Sequence, residues 1–105
     1  MSRRKGMRYE NDVANYIGDR YIKTNRGGFD GDDGHLGELV SVECKNQKTL
    51  DLAGWLKQAR DNAGERIGVV IHKRRGVSNV GDHYVLLSVD DFLELWQRAE
   101  LDGGG

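Results

Sequence analysis

The chain has 105 residues, of which 37% are hydrophobic and 31% charged, and its sixteen basic and seventeen acidic residues leave a formal net charge of -1. This composition is typical of one small globular domain rather than of a disordered or membrane protein. No apolar run reaches the ~18–20 residues of a membrane span, and the start lacks the apolar stretch of a signal peptide. A single cysteine excludes an internal disulfide and suits a reducing compartment. We expect one domain over residues 1–105 with frayed ends at 1–5 and 101–105, a cytoplasmic, intracellular location and no membrane contact.

Hydrophobic periodicity predicts a first helix from Lys5 to Asp19. Its apolar stripe consists of Tyr9, Val13, Tyr16 and Ile17. At ~100° per residue, Glu10 falls on the rim of this stripe. A solvent-exposed rim residue and a functional carboxylate both fit that position.

A short strand, "RYIKT", and the turn-rich segment "NRGGFDGDDG" follow, and a second strand is predicted over residues 39–45. Side chains alternate across a strand, which puts three apolar residues on one face and three polar ones on the other. The apolar face consists of Val40, Val42 and Cys44, and the polar face of Ser41, Glu43 and Lys45. Cys44 is expected to be a small buried hydrophobe. Glu43 and Lys45 lie about 6–7 Å apart along the strand.

A second amphipathic helix is predicted with Gly64 as its C-cap. Its stripe consists of Leu52, Trp55, Leu56, Ala59 and Ala63. The apolar run 67–71 is typical of a central strand buried on both faces.

A loop and the strand "HYVLLS" come next, and Ser88 with Asp91 forms a capping box for a last helix. The apolar residues of that helix are Phe92, Leu95, Trp96 and Ala99. We expect Trp55 and Trp96 to pack in the core rather than stack on nucleic-acid bases. Helices and strands in this order predict an α/β domain with a mixed central sheet flanked by helices.

Two basic clusters stand out against the nearly neutral total charge. The first consists of Arg3, Arg4, Lys5 and Arg8, and the second of Lys73, Arg74 and Arg75; Arg26 is a further cation in the glycine-rich segment. Neither cluster contains an acidic residue. Solvated surface charge and contact with the phosphates of DNA are the two interpretations.

The carboxylates before and within the second strand indicate a metal site. If Asp33 lies across the sheet from Glu43, the two carboxylates converge and repel each other unless they share a divalent cation. Oxygen ligands completed by substrate phosphate favour Mg²⁺ or Mn²⁺. Lys45 is placed to orient an attacking water or to offset charge on a phosphoryl transition state, and Glu10 can assist directly or through water. An ordinary exposed ion pair between Glu43 and Lys45 is the other interpretation.

These residues resemble the PD-(D/E)XK nuclease superfamily, whose signature is an acidic residue, a variable gap and Glu-x-Lys on a strand. Asp33 with Glu43-Cys44-Lys45 matches it, while the proline of the family name is absent. The sequence is more closely similar to small Holliday-junction-resolvase-like endonucleases of phages and archaea. The similar stretches are "KGMRYEN", "GDDGHLG", "VECKNQ", "HKRRG" and "SVDDFLELW".

The resemblance implies a restriction-endonuclease-like core of α-β-β-β-α-β order, here with an added C-terminal helix. It also implies a homodimer and a Mg²⁺ cofactor, for which Mn²⁺ can substitute. A phage-encoded protein made in a bacterial host is one source that the resemblance allows. Asp32 competes with Asp33 as the ligand; the gap from Asp33 to Glu43 is the one that resembles the resolvase-like pattern. Gln58 matches a polar position often seen on the second helix, although by helical angle it lies well off the Leu52 stripe.

The first hypothesis is therefore a Mg²⁺-dependent endodeoxyribonuclease that cuts branched DNA, with a Holliday junction of DNA recombination as the favoured substrate. A general or restriction-like PD-(D/E)XK endonuclease is the nearest alternative. A non-catalytic DNA-binding module that kept the nuclease fold is an alternative of another class. Strong salt dependence of binding without a metal-dependent product would distinguish that module.

Overall fold

The computed structural model describes residues 2–24 and 31–103, with side chains from residue 7 onward. Three α-helices and five β-strands lie in this described part of the chain. The helices are α1 (Ser2–Ile17), α2 (Leu52–Asn62) and α3 (Val89–Asp102). The strands are β1 (Tyr21–Lys23), β2 (Gly34–Leu36), β3 (Val40–Lys45), β4 (Ile67–His72) and β5 (Tyr84–Leu86). The order of elements agrees with the prediction, although α1 begins and ends earlier in the chain than the periodicity indicates.

The five strands form one mixed sheet in the order β1-β2-β3-β4-β5. Neighbours are antiparallel except β3 and β4, which run parallel because α2 carries the chain back across the sheet between them. Glu43 pairs with Val70 in this central ladder, and Lys45 pairs with His72 at its end. The carboxyl ends of β3 and β4 therefore lie side by side.

α1 covers one face of the sheet. Tyr9 and Val13 belong to the same buried cluster as Val42 and Cys44 of β3. The predicted buried position of Cys44 is confirmed, since it is 8% exposed. Tyr16 was predicted in the same stripe, but it stays 57% exposed because α1 turns toward the sheet through Tyr9 and Val13.

α2 covers the other face, where Trp55 and Ala59 are buried against Val70. β4 is therefore buried on both faces, as its apolar run predicts. Gly68 permits the close approach of α2, because a Cβ atom at this position would lie 2.4 Å from the backbone oxygen of Ala59. Trp55, Ala59 and Ala63 of the predicted stripe are buried, whereas Leu52, at the start of the helix, is 49% exposed.

α3 is attached along a narrow contact. Ser88 is its N-cap, as predicted: the Ser88 hydroxyl accepts a hydrogen bond from the Asp91 backbone N–H at 3.1 Å. Leu95 packs against the α1-side core, and Asp91 Oδ2 lies 3.6 Å from Arg60 Nε of α2. These two contacts turn the opposite side of α3 to solvent, so the prediction that Trp96 lies in the core is wrong: it is 54% exposed.

Among the described residues, no helix is both long and apolar enough to cross a membrane.

The central position of β4 predicts that a Val→Ala substitution lowers the free energy of unfolding more on β4 than on the edge strand β5. Val70 is 0% exposed, so Val70→Ala should lower the free energy of unfolding by about 2–4 kcal/mol through lost burial and a residual cavity. Val85 on edge strand β5 is 60% exposed, and Val85→Ala should cost less than about 0.5 kcal/mol. Urea denaturation of both variants measures the difference. Equal losses would contradict the placement of β4 between α1 and α2.

Candidate active site

The candidate site lies at the sheet edge where β3 and β4 end. Lys45 and His72 are paired there, and Tyr84 begins β5 opposite His72. The N-terminal half of α1 reaches the same edge, since the Tyr9 hydroxyl lies 2.8 Å from Nδ1 of His83, the residue before β5. One edge therefore collects the end of β3, the basic segment after β4 and the basic first turns of α1.

Asp33 lies directly beside Glu43 in the neighbouring segment. Its backbone N–H donates to the Val42 oxygen at 2.9 Å, and its Oδ2 accepts from the Cys44 N–H at 2.8 Å, so these two contacts bracket Glu43. Both carboxylates are nearly buried: Asp33 is 4% exposed and Glu43 is 2% exposed. Burying two anions together is unfavourable unless hydrogen bonds or cations compensate. The structure therefore places the two predicted ligand residues side by side on neighbouring segments of the sheet.

Asn62 of α2 is a site residue that the sequence analysis misses. Its Nδ2 donates to Glu43 Oε2 at 3.3 Å and to the backbone oxygen of Gly31 at 3.2 Å. Asn62 therefore links Glu43 to the segment that precedes Asp33. No local pattern marks it, because both partners are distant in sequence. The available signal is its four-residue spacing from Gln58, which puts two carboxamides on one side of the helix.

Gln58 lies one turn earlier and accepts a hydrogen bond from Lys45 Nζ at 2.7 Å. It does lie off the Leu52 stripe, as its helical angle predicts. Gln58 nevertheless lies one turn after Trp55, a stripe residue that packs on the sheet, and from there its side chain reaches Lys45 on the polar face of β3. The contact fixes where the Lys45 ammonium group is held at the strand end.

Glu10 lies on α1, at the other side of β3, and is half-buried. Burial raises the pKa of the Cys44 thiol far above the ordinary value of 9.0; the negative charges of Asp33, Glu10 and Glu43 raise it further, and a hydrogen bond with Tyr21 lowers it. Burial is also the largest cause of the raised pKa of Tyr21, to which Asp33 and Glu10 add. Glu10 therefore belongs to the same electrostatic environment as the predicted carboxylate pair.

Asp32 has a different environment from Asp33. Its Oδ1 accepts from the Thr24 hydroxyl at 2.5 Å, and its Oδ2 accepts from the Ser41 hydroxyl at 2.7 Å. Asp32 is 8% exposed and Ser41 is 1% exposed. Both carboxylate oxygens of Asp32 thus serve to tie the chain after β1 to β3, which is a structural use. The geometry favours Asp33 as the partner of Glu43.

The predicted DNA-contacting cations divide into those that the structure describes and those that it does not. Arg74 and Arg75 are exposed just beyond β4, Lys73 is half-buried, and Arg8 is exposed on α1. The Lys73 backbone N–H donates to the Lys45 oxygen at 2.9 Å, which joins this segment to the end of β3. Arg3, Arg4 and Lys5 lie in the first turns of α1, but their side chains are outside the described residues, as is the whole of Arg26.

In the described part of the chain, no three His, Cys, Asp or Glu side chains are grouped closely enough to enclose a metal ion. The donor set is instead the carboxylate pair of Asp33 and Glu43. Mg²⁺ commonly binds through one or two carboxylates, retained waters and substrate phosphates rather than in an all-protein cage. The residues present therefore fit a magnesium ion that substrate and water help to hold.

Comparison with protein-family models, curated proteins and solved structures finds no match to this chain.

The hydrogen bonds of Asp32 predict that its removal affects stability. Asp32→Ala leaves the buried Ser41 hydroxyl without its acceptor and should lower the free energy of unfolding by about 2–3 kcal/mol. Asp19→Ala, at an exposed carboxylate, should cost less than about 0.5 kcal/mol. Urea denaturation in EDTA compares the two. An Asp32 variant as stable as the Asp19 control would contradict the structural assignment.

The raised pKa of Cys44 predicts a loss of stability in alkali. The folded protein keeps the thiol proton, whereas the unfolded chain releases it above the ordinary pKa of 9.0, so the contribution is complete below that pH and is lost as pH rises further. The free energy of unfolding should fall by up to about 1.4 kcal/mol per pH unit between pH 9 and 10 from this group. Cys44→Ala should show a shallower fall in denaturation curves recorded at pH 8, 9 and 10. Equal slopes for the two proteins would refute the prediction.

Proposed function

We propose that the protein is a Mg²⁺-dependent endodeoxyribonuclease of the PD-(D/E)XK type that hydrolyses phosphodiester bonds in branched DNA, with a Holliday junction as the favoured substrate. The observation that carries the proposal is the buried pair of Asp33 and Glu43 at the sheet edge where Gln58 holds Lys45. An ordinary exposed ion pair between Glu43 and Lys45 would leave Glu43 in solvent. Here Glu43 is 2% exposed, and the neighbouring carboxylate of Asp33 is 4% exposed.

In this proposal Asp33 and Glu43 hold Mg²⁺, for which Mn²⁺ can substitute. The ion, when bound, polarises a phosphoryl oxygen and lowers the pKa of a water molecule. Glu10 assists through a water, because it does not complete a direct three-residue group with the other two carboxylates. Asn62 donates to Oε2 of Glu43 and keeps that carboxylate oriented.

Lys45 is the group that acts on the substrate in this proposal. Its ammonium lies on the polar face of β3, two residues after Glu43, and donates a hydrogen bond to Gln58 of α2 at 2.7 Å. From there it orients the attacking water or stabilises the charge that develops on the phosphoryl oxygens. A preorganised cation costs little reorganisation at the moment of reaction.

The cations at the same edge support DNA as the substrate. Lys73, Arg74 and Arg75 directly follow β4, next to the end of β3, and Arg8 is exposed on α1, although the whole chain carries a formal net charge of -1. Such contacts position a phosphate backbone without reading its sequence. A four-way junction has approximate two-fold symmetry and needs two incisions, so we propose that the intracellular enzyme works as a homodimer with one site per chain.

Glu43→Gln should abolish cleavage while preserving DNA binding. The substitution keeps the shape of the side chain but removes the charge that the cation requires, so the rate should fall by about 10²- to 10⁴-fold, as for other charge-stabilising or acid–base groups. The assay incubates a labelled four-way junction and the matching linear duplex with Mg²⁺ or EDTA.

Glu65→Gln is the matched control, because Glu65 is exposed in the turn after α2. It should cut like the unsubstituted protein. A fully active Glu43→Gln variant would remove Glu43 from the mechanism. Equal cutting of junction and duplex would indicate a general nuclease, and tight binding without cutting would indicate a non-catalytic DNA-binding module.

A further inference from the structure

Tyr84 stands in one row with Lys45 across the end of the sheet. Strand register pairs Lys45 with His72 and His72 with Tyr84, so the three side chains share the face that α2 covers. Neighbouring strands lie about 4.8 Å apart, which places the Tyr84 backbone roughly 10 Å from that of Lys45. The tyrosine is therefore close to the proposed site without belonging to its carboxylate pair.

The exposure of the rings increases along this row. Trp55 is 4% exposed, His72 is 9% exposed and Tyr84 is 52% exposed. The ring of His72 lies 4.8 Å from that of Trp55 and 6.1 Å from that of Tyr84, measured between centroids. His72 Nε2 also lies 3.3 Å from the backbone oxygen of Gln47. The ring of Tyr84 thus lies beside the His72 ring, which Trp55 and the Gln47 oxygen contact in turn. The rest of the tyrosine is exposed to solvent.

Three cations follow the residue that pairs with Tyr84. His72 is followed directly by Lys73, Arg74 and Arg75, and the last two are exposed. An aromatic ring beside positive charge is the combination by which proteins bind single-stranded nucleic acid, since bases stack on the ring while cations hold the backbone. An ordinary edge-strand tyrosine would need neither the supporting ring stack nor the adjacent cations.

We propose that Tyr84 is a stacking platform for an unpaired nucleobase of the DNA strand that enters the site. Among branched DNAs, those with unpaired nucleotides at the branch should then bind most tightly. At 3.4 Å of rise per nucleotide, a separation of roughly 10 Å from Lys45 corresponds to about three stacked nucleotides. This inference rests on the proposed function for DNA as the ligand, but it concerns binding and needs no cleavage.

The test uses two fluorescein-labelled probes at one salt concentration in EDTA: a branched DNA with unpaired nucleotides at the branch, and a fully paired duplex of the same length. Tyr84→Leu keeps an apolar contact with His72 but removes the aromatic face. It should weaken binding of the branched probe by about 5- to 100-fold, the range that one base–aromatic stack contributes, and leave duplex binding unchanged. Tyr84→Phe keeps the ring and should bind both probes like the unsubstituted protein.

Val85→Ala is the control for a general disturbance of β5, because Val85 is equally exposed but on the opposite face of the strand. It should change neither affinity. Equal branched-probe affinity for Tyr84→Leu and the unsubstituted protein would overturn the inference. So would an equal loss on both probes, or an absence of DNA binding by the unsubstituted protein.

A second readout needs no variant. A 2-aminopurine base at an unpaired position of the branch should lose fluorescence on binding if it stacks, and unchanged fluorescence in the bound complex would overturn the inference. Cleavage of the four-way junction in Mg²⁺ tests the proposed function separately. A protein that binds through Tyr84 and never cuts refutes the nuclease alone, whereas one that cuts with Tyr84→Leu unimpaired in binding refutes the platform alone.

Discussion

The burial of Glu43 in the central ladder is the constraint on which the structure depends. A carboxylate that is 2% exposed must have its charge compensated locally, because burial without polar partners costs several kcal/mol. The polar face of β3 therefore cannot be covered by a uniformly apolar helix. α2 meets this requirement by presenting Trp55 and Ala59 to Val70, and the carboxamides of Gln58 and Asn62 to β3. The same helix thus packs apolar side chains on β4 and places polar side chains against β3.

Alternation and apolar runs predict the sheet better than periodicity predicts the helix faces. The two faces of β3 and the buried β4 follow from patterns confined to six residues, where the side-chain direction is fixed by the strand itself. The face of a helix depends on what it packs against. Leu52 and Trp96 show this, because both continue apolar stripes yet lie exposed, one on α2 and one on α3. Tertiary contacts, such as that of Asp91 with Arg60, decide the rotation of the helix.

The candidate site was predictable only where its chemistry is concentrated in a short stretch. Glu43 and Lys45 share a strand, and the antiparallel return of β2 brings Asp33 to them. The choice between Asp32 and Asp33 needs the hydroxyls of Thr24 and Ser41, which sequence spacing does not locate. Asn62 was not predictable for the same reason: its partners come from two other segments, and only their packing brings them together.

Gly68 has a consequence that reaches beyond its own strand. Since a Cβ atom there would collide with the backbone of α2, the absence of a side chain sets the height at which that helix rests above the sheet. Gln58 and Asn62 both belong to α2. A side chain at position 68 would push that helix away from the sheet and would move both carboxamides away from β3. The spacing of polar groups around Glu43 therefore depends on a glycine that lies against the α2 backbone at Ala59 and Arg60 and contributes no side chain to the site.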